Sequence, residues 1–93
     1  MPTKYTWNPL KAELNKKRHP GVTFEEASTV FKDPLVEILP DLEHGEARAV
    51  ALGMSSYARV LYVVHIEMKD DHIHIISARK ATKHERKRYE EGQ

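Results

Sequence analysis

Two alternating segments joined by a short polar break constrain this chain more than anything else in it. Between Ala58 and Met68, the residues Val60, Tyr62, Val64, Ile66 and Met68 recur at every second position. That two-residue period puts them on one face of a β-strand. Leu61 and Val63 make the opposite face partly apolar too, so the strand is expected at the centre of a sheet. A second strand runs from His72 to Lys80, with Ile73 and Ile75 on its core face and Ile76 and Ala78 behind. Lys69-Asp70-Asp71 between them reads as a hairpin turn. A sheet is therefore required, and 93 residues allow one small domain, residues 1–93, to be built around it.

Punctuation supplies the other elements. Tyr5-Thr6-Trp7 is a short β-prone stretch, and Asn8-Pro9 starts a helix with Asn as its cap and Pro at its first position. Leu10 and Leu14 form the apolar stripe of this helix, with Lys11, Asn15 and Lys16 off it, and His19-Pro20-Gly21 stops it. Thr23 and Glu26 make a capping box for a second helix whose apolar face is Phe24, Ala27, Val30 and Phe31. Asp33-Pro34 ends it. A strand is expected from Leu35 to Ile38, closed by Pro40, and another over Ala47 to Ala51, with Gly53 and Ser55-Ser56 marking a turn. Thr82 and Glu85 form a second capping box, opening a basic last helix with almost no apolar face. The order is β-α-α-β-β-β-β-α: an α+β fold with an antiparallel β-sheet, two N-terminal helices and a C-terminal helix.

Composition excludes several classes. Without cysteine there is neither a disulfide framework nor a thiolate zinc site. No stretch approaches the roughly 18 consecutive apolar residues of a membrane helix, and the N-terminus lacks a secretory apolar run. A soluble, cytoplasmic protein is expected. The net charge of +1 divides into +4 over residues 1–21, −6 over 22–78 and +3 over 79–93. Two cationic ends can converge on one polyanion if the fold brings them together.

Parity also groups polar residues. Arg59, His65 and Glu67 share the face of the first long strand opposite the Val60 stripe, while on the second His72, His74 and Lys80 share one face and Arg79 the other. An even-length turn sets His65 and Glu67 beside His74. Imidazoles, a carboxylate and cations on one wet surface suit phosphodiester cleavage: a base takes the ribose 2′-hydroxyl proton, cations hold the phosphate, and an acid protonates the leaving oxygen. Plainer readings stand beside this one. His65 and Glu67 can be an ordinary solvated face, Arg79 can bridge to an acidic neighbour, and His72, His74 and Glu67 can bind a metal.

Two blocks of the chain carry a family resemblance. The first is Trp7-Asn8-Pro9 with Lys11 and Asn15, then Arg18-His19 and Gly21-Val22-Thr23-Phe24-Glu25-Glu26-Ala27. The second is Val63-Val64-His65 with Glu67, Ile75-Ile76-Ser77-Ala78-Arg79-Lys80-Ala81-Thr82, then Glu85-Arg86 and Tyr89-Glu90. From Trp7 to about Gly92 the chain resembles the BrnT toxins of type II toxin–antitoxin systems, small bacterial ribonucleases with a RelE-like fold. It departs from them in Asn8 for the usual Asp, Arg18 for Lys, an inserted Pro20, and His72 and His74 where arginines are usual.

The resemblance implies an RNA-cleaving, growth-inhibiting toxin held by a cognate BrnA-type antitoxin in a heterotetramer, with operator DNA bound only through the antitoxin. On parity and chemistry, Arg59, Arg79 and Lys80 are assigned to phosphate stabilisation and His65 or Glu67 to proton transfer. Lys17, Arg18, His19, Lys83 and Arg86 are assigned to the RNA backbone. The expected chemistry uses no metal and no cofactor. A binding module of the same fold that has lost catalysis is the other reading.

Overall fold

The computed structural model describes residues 2–41 and 47–92. In chain order the elements are β1 (Lys4–Trp7), α1 (Pro9–Arg18), α2 (Phe24–Ser28), a 3-10 turn (Thr29–Lys32), β2 (Glu37–Pro40), β3 (Arg48–Met54), β4 (Val60–Met68), β5 (His72–Lys80) and α3 (Lys83–Glu91). The strands form one sheet ordered β1-β5-β4-β3-β2, with β4 central as its two apolar faces require. All neighbours are antiparallel except β1, which pairs with β5 in parallel.

Local chemistry sets the boundaries. Asn8 Oδ1 accepts from the Leu10 and Lys11 N–H groups at 2.9 and 3.3 Å, and Gly21 takes a left-handed φ of 84° where the chain breaks after Pro20. Thr23 caps α2 through the Glu26 N–H at 3.0 Å, yet the expected capping box is only half made. The Glu26 carboxylate turns instead to Ser55 and Arg59. At α3 the box is complete, between Thr82 and Glu85. β2 starts at Glu37 and not at Leu35, because Asp33 holds the Leu35 and Val36 N–H groups in a turn. Gly53 continues β3 and does not turn. A Cβ there would stand 2.9 Å from Val36 Cγ2 and 3.2 Å from the Val30 carbonyl oxygen, so the missing side chain lets the 3-10 turn close on the strand.

Helices cover both faces of the sheet. Phe24, Ala27 and Val30 pack on Ala51, Leu61, Val63, Ile75 and Ala78 in the larger core cluster. On the opposite face Tyr89 of α3 packs on Leu52 and Val60, with Tyr62 beside them. The face that carries the Val60–Met68 stripe is therefore the lesser of the two, and its last member, Met68, is 50% exposed. Both faces are apolar from Val60 to Val64, so the period separates the two sets without saying which one α2 covers. The last helix, expected to lack an apolar face, is pinned by one aromatic. Tyr89 is buried and donates its hydroxyl to Asp33, and burial pushes that hydroxyl up to about 12. Arg88 adds an ion pair to Glu37 at 2.6 Å. No helix among the described residues is long and apolar enough to cross a membrane.

A bulge in β5 overturns the expected parity. Val64 pairs with Ser77 but His65 pairs with Ile75, leaving Ile76 without a counterpart. Beyond it the faces exchange: Lys80 stands opposite Leu61 on the α2 face, and Arg79 opposite Tyr62 on the α3 face. The hairpin loop is the expected Lys69-Asp70-Asp71, three residues and not an even number, with Asp70 and Asp71 at φ 62° and 57°. Glu67 consequently pairs with Ile73, and His74 pairs with Ile66.

The α1 helix is turned inside out relative to its leucine stripe. Leu10 and Leu14 are 75% and 51% exposed, whereas Asn15 is buried. Asn15 Nδ2 donates to the Ala78 carbonyl at 2.8 Å and its Oδ1 accepts the Ala78 N–H at 3.1 Å. The amide thus completes the β5 edge beyond the reach of β1, where unpaired backbone groups are costly to bury.

His65, expected on a wet surface, is fully buried. Its ring meets Phe31 edge-on at 4.8 Å, its Nδ1 lies 3.4 Å from the Val63 carbonyl oxygen, and among the described residues its Nε2 has no hydrogen-bond partner. Burial holds its pKa below the ordinary value of 6.5 and keeps the ring neutral.

Asn15→Ala removes both Ala78 bonds and is expected to cost about 2 kcal/mol in urea unfolding, against within about 0.5 kcal/mol for the exposed Leu10→Ser. For His65 the unfolded chain binds a proton more readily than the fold does. Stability is therefore full above pH 6.5 and falls as the pH drops below it toward the depressed folded pKa. His65→Leu is expected to flatten that part of the urea-midpoint profile; an unchanged slope assigns it to another group.

Candidate nucleic-acid interface

The cations of the two chain ends do converge. The C-terminus of α1 and the end of β5 lie side by side because Asn15 ties the one to Ala78 of the other. Arg18, His19, Arg79, Lys80 and Thr82 line a cleft of about 370 Å³ there. Lys80 is shared with a second cleft of about 430 Å³ that also includes Arg59, Arg86 and Glu90. Arg18 and His19 are shared with a third, of about 410 Å³, which reaches Lys11, Arg48 and Ser77. The three form a continuous basic band in which Glu90 is the one lining carboxylate among the described residues.

Two of the cations are structural as well as surface groups. Arg59 donates to both oxygens of Glu26, with Nε–Oε2 at 2.7 Å, and to the Gly21 carbonyl. Glu26, whose side chain is 1% exposed, also accepts from Ser55 Oγ at 2.6 Å. The Arg59 hydrogen bond holds the Glu26 carboxyl below its usual range despite its burial, and Glu26 raises the guanidinium in turn. Removing one partner leaves a buried charge uncompensated, at a cost on the order of 3 kcal/mol.

Arg79 forms a bidentate pair with Glu85, at 2.7 and 3.0 Å, and lies 3.9 Å above the Tyr62 ring. The Glu85 hydrogen bond raises Arg79, and Arg79 lowers Glu85. This clamp fastens the start of α3 to the sheet, as the plainer reading of Arg79 held. Lys80, Arg18, Arg48 and Arg86, by contrast, make no ion pair among the described residues, so their charge is available to a ligand.

The structure does not bring the five residues assigned to catalysis together. Arg59, Arg79 and Lys80 gather at one end of β4 and β5. His65 is sealed in the core, and Glu67 is exposed near the far end of β4, seven positions beyond Val60 and so roughly 20 Å along the strand. Its carboxylate is 3.8 Å from His65 Nε2. Of the residues assigned to RNA binding, Arg18, His19 and Arg86 line the band, while Lys17 and Lys83 are exposed beside it.

The metal grouping is not assembled either. His72 and His74 both turn to Thr6 Oγ1, at 2.6 and 2.8 Å, whereas Glu67 lies on the other face. No group of three or more potential ligands gathers among the described residues. Arg48 is the residue that sequence reasoning missed. It stands opposite Ile66, so its place on the band follows from the β3–β4 register, a pairing no local motif reports.

Comparison with known proteins agrees with this architecture. A crystal structure at 1.1 Å of the ribonuclease toxin BrnT from Brucella abortus superposes with a TM-score of 0.70 at 19% identity, covering 88% of this chain and 100% of that one. At that identity the likeness speaks for the fold. No curated protein matches the chain. The family model described as ribonuclease toxin, BrnT, of type II toxin–antitoxin system matches residues 7–85, from the first strand through the Arg79–Glu85 clamp. The chain belongs to the BrnT family of type II toxin–antitoxin ribonuclease toxins.

Proposed function

We propose that this protein is an endoribonuclease toxin that binds single-stranded RNA along the basic band and cleaves it in the cleft between α1 and β5. One observation carries the reading: Arg18 and His19 from one end of the chain and Arg79 and Lys80 from the other line the same cleft. Arg18 and Lys80, which make no ion pair among the described residues, hold the backbone by charge, without reading sequence.

Within the cleft Lys80 and Arg18 stabilise the phosphate, and Arg79, held by Glu85 and Tyr62, adds a fixed positive charge. His65 is sealed off and Glu67 is remote, so His19 is the proton-transfer group that the geometry supports. The ribose 2′-hydroxyl gives up its proton and attacks phosphorus, and the bond to the 5′ oxygen breaks as that oxygen gains a proton. The products are a 2′,3′-cyclic phosphate and a 5′-hydroxyl end. This chemistry asks only for proton transfer and positive charge, which side chains supply. A cognate BrnA-type antitoxin, paired with the toxin in a heterotetramer and carrying the operator-DNA contacts, completes the reading, with the cytoplasm as its compartment.

The ion pairs of Arg59 and Arg79 favour one other reading, a module that binds RNA or antitoxin without cutting. The two are separated by single-turnover cleavage of labelled RNA in excess EDTA. Cleavage is expected to persist and to leave 5′-hydroxyl ends. His19→Gln is expected to slow it at least about 100-fold with RNA affinity little changed, while Lys80→Ala weakens binding and lowers its salt dependence by about one phosphate contact. Folded protein that binds RNA with a steep salt dependence but leaves it intact establishes the non-cutting reading.

A further inference from the structure

The outer face of α1 has no use in the fold. Its inner face is spent on Ala12, which packs against the larger core, and on Asn15, while Leu10 and Leu14, one turn apart, face solvent. Leu14 is also one wall of the groove whose floor is Val64, Ile76 and Ser77. Ile76 reaches that floor as the unpaired residue of the β5 bulge. Three cations, Lys11, Arg18 and Arg48, line the same groove, and among the described residues no carboxylate does.

We propose that this groove is a docking site for a protein partner: an acidic amphipathic helix that seats aliphatic side chains against Leu14, Val64 and Ile76 and sets carboxylates on Lys11, Arg18 and Arg48. The charge is complementary to such a helix, and the apolar floor is what an aliphatic anchor requires. RNA fits the groove less well. The aliphatic side chains of Leu14, Val64 and Ile76 give a phosphate backbone nothing to bind, whereas they suit an aliphatic anchor.

The same geometry carries a consequence for regulation. Arg18 and His19 line both this groove and the cleft that holds Arg79 and Lys80. A helix seated in the groove engages the side chains that RNA needs, so docking and RNA binding exclude one another without any change of fold. That the docked protein is the antitoxin rests on the function proposed above.

The test uses the full-length, isotope-labelled protein and a synthetic amphipathic helix bearing a leucine stripe flanked by glutamates. A control peptide has serine in place of every leucine at unchanged charge. Amide shifts are expected in α1, at Val64 and at Ile76–Ser77, with the control binding at least about tenfold more weakly. Leu14→Glu and Arg48→Glu, on different elements and both on the surface, are each expected to weaken the leucine peptide at least about tenfold. The peptide is also expected to displace a 2′-O-methyl RNA that cannot be cleaved.

Equal binding of the two peptides, or shifts confined to other surfaces, overturns the proposal. So does loss of RNA binding in Leu14→Glu with peptide affinity intact, which assigns the groove to RNA. Peptide binding in a protein that does not cleave RNA overturns the ribonuclease reading and leaves the docking site standing. Cleavage without peptide binding does the reverse.

Discussion

The meeting of the two basic chain ends depends on one side chain, the Asn15 amide. β1 is only four residues long and pairs with β5 as far as Ile75, so the C-terminal half of β5 has an open edge. Asn15 supplies what a further strand would: one donor and one acceptor, both used on Ala78. A buried polar group earns stability only when fully satisfied, and here a single amide satisfies itself and the backbone together. Since Arg18 ends the same helix three residues later and His19 caps it, that contact delivers them to Arg79 and Lys80.

The bulge at Ile76 then sorts the residues at the end of β5. Without it, Arg79 and Lys80 would exchange faces. With it, Arg79 lies on the α3 side, where Tyr62 and Glu85 are, and Lys80 lies toward Glu26 and Arg59. The division of labour among cations follows from this. Those that meet a buried or half-buried carboxylate hold α2 and α3 against the sheet, and those that meet none keep their charge for solvent or a ligand. A chain with net charge of only +1 can present a strongly basic band because other carboxylates lie away from it, Glu67 near the far end of β4 and Asp70 and Asp71 in the hairpin loop beyond.

Much of the fold is legible in local chemistry. Asn8-Pro9, Thr23 and Thr82 announce their helices because a cap acts on N–H groups two or three residues away. The Lys69–Asp71 turn and the central place of β4 follow from alternation and from two apolar faces. The candidate site was less legible. Arg79, Lys80, Arg18 and His19 were picked out by charge and motif, and these meet. His65 and Glu67 were joined to them by counting positions, and counting fails where one extra residue resets the phase of a strand. Leu10 and Leu14 misled for a related reason: a leucine pair at helical spacing marks a sticky face but does not say whether that face binds the protein's own core or something else.

The sequence by itself determined the element order, the caps, the hairpin and the presence of two basic ends around an acidic middle, since each depends on neighbours within a few residues along the chain. Only the tertiary structure decided which face of β4 is covered by α2 and which by α3, that Asn15 and not the leucine stripe faces inward, and that the basic ends share a cleft. Those outcomes depend on strand register and on which groups meet across 50 or more residues of chain, as Asn15 and Ala78 do at a separation of 63. No local pattern encodes that register, because a single bulged residue shifts it while leaving the surrounding composition unchanged.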